Sequence, residues 1–215
     1  MQIKLDMKIL VFILIFYITH QIKIYALLMI FACLHEFGHL LTGLALGIKP
    51  IVIEIKPIGF SVELKNPISD YNKKFFNGNR LELKKIFVYT MGPVVNIILA
   101  ILIYFFNIDI LNKQELIYIN LIIAFVNFLP MYPLDGGRIF KCIIYILFGV
   151  KKSYELTEKI SLIVTVMALS LGSFVVLKVN NYGLVIMLMY MLFINISESR
   201  KIQKKLKLYE LIDKQ

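Results

Sequence analysis

Two histidines and a glutamate stand close together in an apolar part of this chain. They form His35-Glu36-Phe37-Gly38-His39, inside the run from Ile24 to Ile48. Residues four apart on a helix share a face, so His35 and His39 can present two imidazole nitrogens to one metal ion. Glu36 then sits one position round, beside the same ion. Ionisable groups inside a membrane-length segment are costly, and they mark function by default. The bland alternative is two histidines and a glutamate that hydrogen-bond across a helix bundle.

Zinc in a hydrolytic site usually takes three protein ligands and leaves a fourth position for water. The other histidine of the chain, His20, lies at a segment boundary among polar neighbours, where facing solvent fits better than ligation. The acid best placed to complete the set is Asp135, within Asn127-Phe128-Leu129-Pro130-Met131-Tyr132-Pro133-Leu134-Asp135-Gly136-Gly137-Arg138. Two prolines break the helix there and the paired glycines allow a tight turn. Such irregular backbone is tolerated at membrane depth only where it is buried in protein or lines a wet cavity. Asp135 is therefore either a surface turn residue or a carboxylate aimed at the metal, and its place at a broken membrane segment favours the second.

A zinc ion so held would activate water and polarise a scissile carbonyl. Glu36 would take the water's proton and pass it to the leaving amine. Asn127 would donate a hydrogen bond to the substrate backbone or the developing oxyanion. Asn120 and Asn127 are seven apart and give their helix a polar stripe to offer a cavity.

The elements that carry these residues are membrane segments. With 215 residues, 59% of them hydrophobic, and a mean hydropathy of +0.78, the chain is too apolar for a soluble globule of its size. Six apolar segments stand out, at 9–19, 24–46, 86–106, 116–129, 160–177 and 182–196. The first and fourth fall short of the roughly 20 residues that span a bilayer comfortably. If all six span, every Lys and Arg except Lys23, Lys113 and Lys178 falls on one side, which predicts both termini in the cytoplasm. The formal net charge of +10 thus points to anionic lipid and topology rather than to nucleic acid. Cys33 and Cys142, both in apolar runs, read as small buried hydrophobes in a reducing setting. The N-terminal apolar stretch resembles a signal peptide but has no small-residue cleavage site, so it is read as retained.

Between the second and third segments, alternation over Ile51–Lys56 and Phe60–Lys65 around Pro57-Ile58-Gly59 predicts a β-hairpin. It is either a connector or an edge to which an extended substrate adds as a strand. Residues 66–80, with Asn-Pro and Asn-Gly signals, read as a mobile loop. Gly38 with Thr42 and Gly43 with Gly47 are small residues at four-residue spacing, which lets neighbouring helices pack closely. Met91-Gly92-Pro93-Val94-Val95-Asn96 is read as a packing element rather than a direct part of catalysis. Residues 139–150 fit an interfacial half-helix. The basic stretch 197–215, with Ile202, Leu206 and Tyr209 on one side, fits a helix lying on the cytoplasmic leaflet.

Together, the His35-to-His39 motif, the Asn127-to-Gly136 motif and the Gly92-Pro93 to Asn96 element resemble the site-2 protease family of intramembrane zinc metalloproteases. The resemblance covers about residues 8 to 200. It implies an all-α polytopic membrane protein of about six transmembrane helices, with a membrane metalloprotease domain over 1–196 and a basic tail over 197–215. It implies one Zn2+ per chain on His35, His39 and Asp135, catalysis by Glu36, and substrate positioning by Asn127 and Pro133. Within the family, the short N-terminal segment, the hairpin loop and the lack of room for a PDZ insertion resemble the stage IV sporulation protein FB group. Members of that group cleave the pro-sequence of a sporulation sigma factor in the mother-cell membrane around the forespore, under inhibitory membrane partners. Well-known members continue into a nucleotide-sensing CBS domain, and this sequence stops at Gln215, a departure that leaves nucleotide control an open question.

Three other readings compete. A general site-2 protease would trim anti-sigma factors or signal-peptide remnants. A metal-binding transporter would need further acidic or histidine residues along a path, and the fifth and sixth segments offer none. A catalytically dead scaffold that binds substrate helices would not need Glu36.

Overall fold

A computed structural model describes residues 2–48, 50–56, 59–64, 76–106, 112–179 and 182–212. They form two compact units, Met1–Asn127 and Phe128–Gln215.

The first unit opens with strand β1 (Gln2–Leu5) and helix α1 (Lys8–Ile18), where Asp6 Oδ1 accepts the Lys8 N–H at 3.0 Å. Helix α2 (Ile22–Ala45) carries the His35 motif. Its end is a Schellman motif: the Ile48 N–H reaches Gly43 O, the Gly47 N–H reaches Leu44 O, and Gly47 sits at φ +77°. A Cβ on Gly47 would meet nothing within 4 Å, so this glycine ends the helix rather than packing it. Gly38 does pack, since a Cβ there would come 2.7 Å from Val95 Cγ2 on the next long helix.

Strand β2 (Pro50–Lys56) pairs antiparallel with β3 (Gly59–Leu64) and parallel with β1, so the sheet order is β1-β2-β3, with β3 against α2. Helix α3 runs from Phe76 to Phe105. It starts inside the stretch expected to be loop, so the Asn77-Gly78 pair lies in its first turn; residues 66–75 are outside the described residues. Helix α4 (Lys113–Phe128) starts under an Asn112 side chain that accepts the Gln114 N–H at 3.2 Å. Leu27 and Phe31 of α2, Ile103 of α3 and Leu116 of α4 form a buried cluster that fixes these three helices together.

The second unit begins with an irregular turn and continues through α5 (Asp135–Phe148), α6 (Val150–Val179) and α7 (Tyr182–Ile212). Along α6, Ser153, Thr157, Ser161 and Thr165 recur every four residues and are all buried. This hydroxyl stripe faces polar residues of α7. The Asn195 Nδ2 group donates to Ser161 Oγ at 2.9 Å and Thr165 Oγ1 at 2.7 Å. One turn and two turns later, Ser199 and Gln203 both donate to Glu158 Oε1. Such bonds hold helices together where lipid supplies no hydrophobic drive between them. The basic stretch after 196 continues α7 without a break, and Ile202 is buried, so its first turns pack within the unit.

Among the described residues, three helical spans are long and apolar enough to cross a membrane: Ile22–Ala45, Asn79–Phe105 and Val150–Ser173. Large apolar side chains such as Leu41, Ile101, Phe105, Ile163 and Leu171 face outward, as a lipid-facing surface requires. Helix α1 has 11 residues and α4 has 16, both short of a comfortable span. Cys142 is buried, but Cys33 is exposed on α2, which corrects the expectation that both are buried. Its helix turns that position outward together with Ile30, Leu34, Phe37 and Leu41.

Candidate metal centre

In the first unit, α2 places His35 and His39 one turn apart, both 4% exposed, with Glu36 half-buried between them. The Nε2 atoms of the two imidazoles face each other at 3.2 Å. Each ring is anchored at its other nitrogen. His35 Nδ1–H donates to Asn96 Oδ1 at 2.8 Å, and His39 Nδ1–H donates to the Val88 carbonyl at 2.7 Å.

This pattern decides the chemistry of the pair. A neutral imidazole has one donor and one acceptor nitrogen, so a ring that donates through Nδ1 keeps its lone pair on Nε2. Two lone pairs 3.2 Å apart in a buried place repel each other unless a cation lies between them. The donor set therefore fits a zinc ion, which takes neutral imidazole nitrogens whose second N–H is held by a carbonyl.

Helix α3 makes room for this. Asn96, Val88 and Gly92 all lie on the α3 face that meets the histidines. A Cβ on Gly92 would collide with Nε2 of both His35 and His39 and with Cε1 of His39. Pro93, fully buried one residue on, cannot donate to the carbonyl of Tyr89, which loosens the helical ladder beside Val88 O. The element read from the sequence as packing therefore positions both candidate ligands as well. Asn120 joins the packing of α3 and α4. It is fully buried, it accepts from Asn96 Nδ2 at 3.2 Å, and it donates to Leu116 O at 2.9 Å. Asn127 is partly buried and its Nδ2 donates to Ile123 O one turn back at 3.0 Å. His20 is exposed at φ +58°, in keeping with a solvent-facing role.

In the second unit, Asp135 is the first residue of α5, 5% exposed, with Arg138 Nη1 at 3.9 Å. A carboxylate in a helix's first turn is favoured by the exposed N–H groups and the dipole there. Residues 129–134 before it form a turn that contains Pro130 and Pro133. Gly136 and Gly137 lie in α5 rather than in the turn, and a Cβ on either would strike the backbone of Phe128, Leu129 or Met131. Only glycine lets the first turn of α5 close so tightly on that segment. The turn is tied to the hydroxyl stripe: the Tyr132 N–H donates to Ser161 Oγ, and Tyr132 O accepts from Asn195, both at 2.9 Å. Asn195→Leu is expected to destabilise the detergent-solubilised protein by about 1–2 kcal/mol, against about 0.6 for an average membrane hydrogen bond, because the two N–H groups of this amide serve Tyr132 O, Ser161 Oγ and Thr165 Oγ1 between them. Reversible unfolding in mixed detergent measures this, and Lys201→Ala, which breaks an exposed pair, should leave the midpoint unchanged.

The structure thus brings His35 and His39 together through α2 and α3, and it places Asp135 and Pro133 within the second unit. The roles of Asn96 and of the Val88 carbonyl were not legible in the sequence. Their signal was the small-residue and proline element of α3, whose meaning depended on which helix it faces.

The model of peptidase family M50 matches residues 113–171. A zinc metalloprotease of Methanocaldococcus jannaschii is 28% identical over 188 residues, covering 84% of this chain and 50% of the relative. Stage IV sporulation protein FB of Bacillus subtilis is 25% identical over 149 residues, covering 67% of this chain and 47% of the relative. The chain spans about half the length of these two curated relatives. Among solved structures, the site-2 protease from Methanocaldococcus jannaschii superposes with a TM-score of 0.66 at 25% identity, over 92% of this chain and 90% of that one. On its histidine pair, its fold and these likenesses, the chain is similar to proteins of the site-2 protease family, peptidase family M50.

Proposed function

We propose that this chain is a zinc metalloendopeptidase that cleaves membrane-associated proteins within the bilayer. The observation that carries the reading is the pair of buried imidazoles on a membrane-length helix, each anchored at Nδ1, with both Nε2 lone pairs turned to one point. Asp135 is the third ligand in this reading. Its support is its burial at the start of α5 and its place in a motif like that of the family. Zinc, when bound, supplies a Lewis acid and an activated water at neutral pH. Glu36 holds the water's proton and delivers it to the leaving amine. Asn127 releases its bond to Ile123 and donates to the substrate backbone, which Pro133 helps to position. The edge of β3 receives an unwound substrate segment as an added strand.

The proposed topology has six spans with both termini in the cytoplasm, which the distribution of Lys and Arg supports. The proposed substrate is the pro-sequence of a sporulation sigma factor of the pro-sigma-K type, in the mother-cell membrane, with inhibitory membrane proteins as regulators. The likeness to stage IV sporulation protein FB supports it. A second reading is a general site-2 protease acting on anti-sigma factors or signal-peptide remnants, with which the likeness to an archaeal zinc metalloprotease is equally consistent.

The test is co-expression of the full chain with tethered pro-sigma and anti-sigma candidates, followed by mass spectrometry of the new N-terminus. Cleavage that a zinc chelator abolishes supports the function, and the substrate that is cut separates the two readings. Purified protein that takes up no stoichiometric zinc would overturn both.

A further inference from the structure

His39 is anchored directly by a backbone carbonyl, but His35 is anchored by Asn96, a side chain that can turn over. An amide presents an acceptor on one side and a donor on the other, so Asn96 can offer His35 either Oδ1 or Nδ2. The two choices have opposite consequences. Oδ1 requires a proton on His35 Nδ1 and leaves the Nε2 lone pair for a metal. Nδ2 requires a lone pair on Nδ1, which puts the proton on Nε2 and blocks ligation.

Asn120 removes the choice. Its Nδ2 lies 2.9 Å from Leu116 O, and a backbone carbonyl can only accept, so the donor end of Asn120 must face that way. Its Oδ1 then faces Asn96 at 3.2 Å and requires the donor end of Asn96. Asn96 Oδ1 is thereby turned to His35 at 2.8 Å. Reversing any member would set two acceptors or two donors against each other in a place where Asn96 and Asn120 are both 0% exposed and water offers no substitute.

We propose that Asn120 is a positioning residue of the metal centre, holding His35 in its ligating tautomer through a one-way chain, Leu116 O to Asn120 to Asn96 to His35. Both imidazoles are then set by backbone carbonyls: His39 directly by Val88 on α3, and His35 at two removes by Leu116 on α4. The packing of α3 and α4 on α2 thereby preorganises the ligands before any metal arrives. This inference rests on the metalloprotease reading, which it deepens.

Two measurements on the full-length protein in detergent test it. The first is zinc affinity by chelator competition. Asn120→Leu keeps the volume but loses both polar ends, and it should weaken zinc binding by about 10–100-fold, the usual effect of losing an outer hydrogen-bond partner. Asn120→Asp should recover the wild-type affinity. Buried, its neutral acid donates to Leu116 O through the hydroxyl and accepts from Asn96 through the carbonyl. The second is the imidazole nitrogen spectrum of metal-free, 15N-histidine-labelled protein at about pH 8, above the ordinary imidazole range. The chain has 3 histidines, so His20→Gln leaves the pair alone in the spectrum. In the wild type, His35 should carry its proton on Nδ1, and in Asn120→Leu the Nε2–H form should appear. Unchanged zinc affinity in Asn120→Leu, or a wild-type His35 protonated on Nε2, would overturn the proposal. If wild-type protein takes up no zinc, the metalloprotease reading falls, and the spectrum still decides the tautomer. If Asn120→Leu does not fold, the wild-type and Asn120→Asp spectra decide it.

Discussion

Glu36→Gln should abolish cleavage of a co-expressed tethered substrate while the purified protein still binds one zinc. Loss of a general base costs about 10²–10⁴-fold in rate. Glutamine keeps the size and polarity of the side chain but cannot take a proton. Glu36 is not needed to hold either imidazole, because His35 and His39 are anchored by Asn96 and by Val88 O. Zinc content by elemental analysis and cleavage by immunoblot should therefore separate in this variant. Cleavage that persists in Glu36→Gln would remove Glu36 from the mechanism, and loss of zinc would make it a structural residue instead. An inactive scaffold predicts no difference between variant and wild type.

Gly92→Ala should have a comparable effect through zinc loss. The added methyl would fall on the two Nε2 atoms themselves, and neither ring can swing away without breaking its anchor on α3. Overpacking of a tight interior costs about 1–3 kcal/mol. Here the strain falls on the atoms that face each other, so it should appear as zinc binding weakened by at least about 10–100-fold, with cleavage lost in parallel. Gly47→Ala is the control. It places a side chain at φ +77° with nothing within 4 Å. It should cost about 1–2 kcal/mol of stability through backbone strain and leave zinc affinity unchanged. Chelator competition on both variants checks the pair. Equal zinc affinity in Gly92→Ala and wild type would mean that α3 does not approach the ligands so closely.

Some of this was open to sequence reading because it depends on local geometry. The convergence of His35 and His39 is a property of any helix, and the apolar run around them required a helix. The weakness of the first and fourth segments as spans could be counted from their length. Other features misled for local reasons. Asn77-Gly78 is a turn signal that occupies the start of α3, and Gly136-Gly137, read as a turn, gives α5 its close approach to the segment before it. The stripe from Ser153 to Thr165 was visible as a four-residue spacing, but hydroxyls in an apolar helix carry no message until a partner such as Asn195 is placed opposite them.

His35-Glu36-Phe37-Gly38-His39 by itself determined that two imidazoles would share a helix face with an acid beside them. It could not determine which nitrogen of each ring would be turned to the other. That was decided by α3 and α4, which bring the Val88 carbonyl and Asn96, itself held by Asn120, to the Nδ1 atoms and clear the space at Gly92. A carbonyl has no sequence signature, and an amide's direction is set by its neighbours. The orientation and tautomer of the histidine rings are therefore a property of the packed helices and not of the motif.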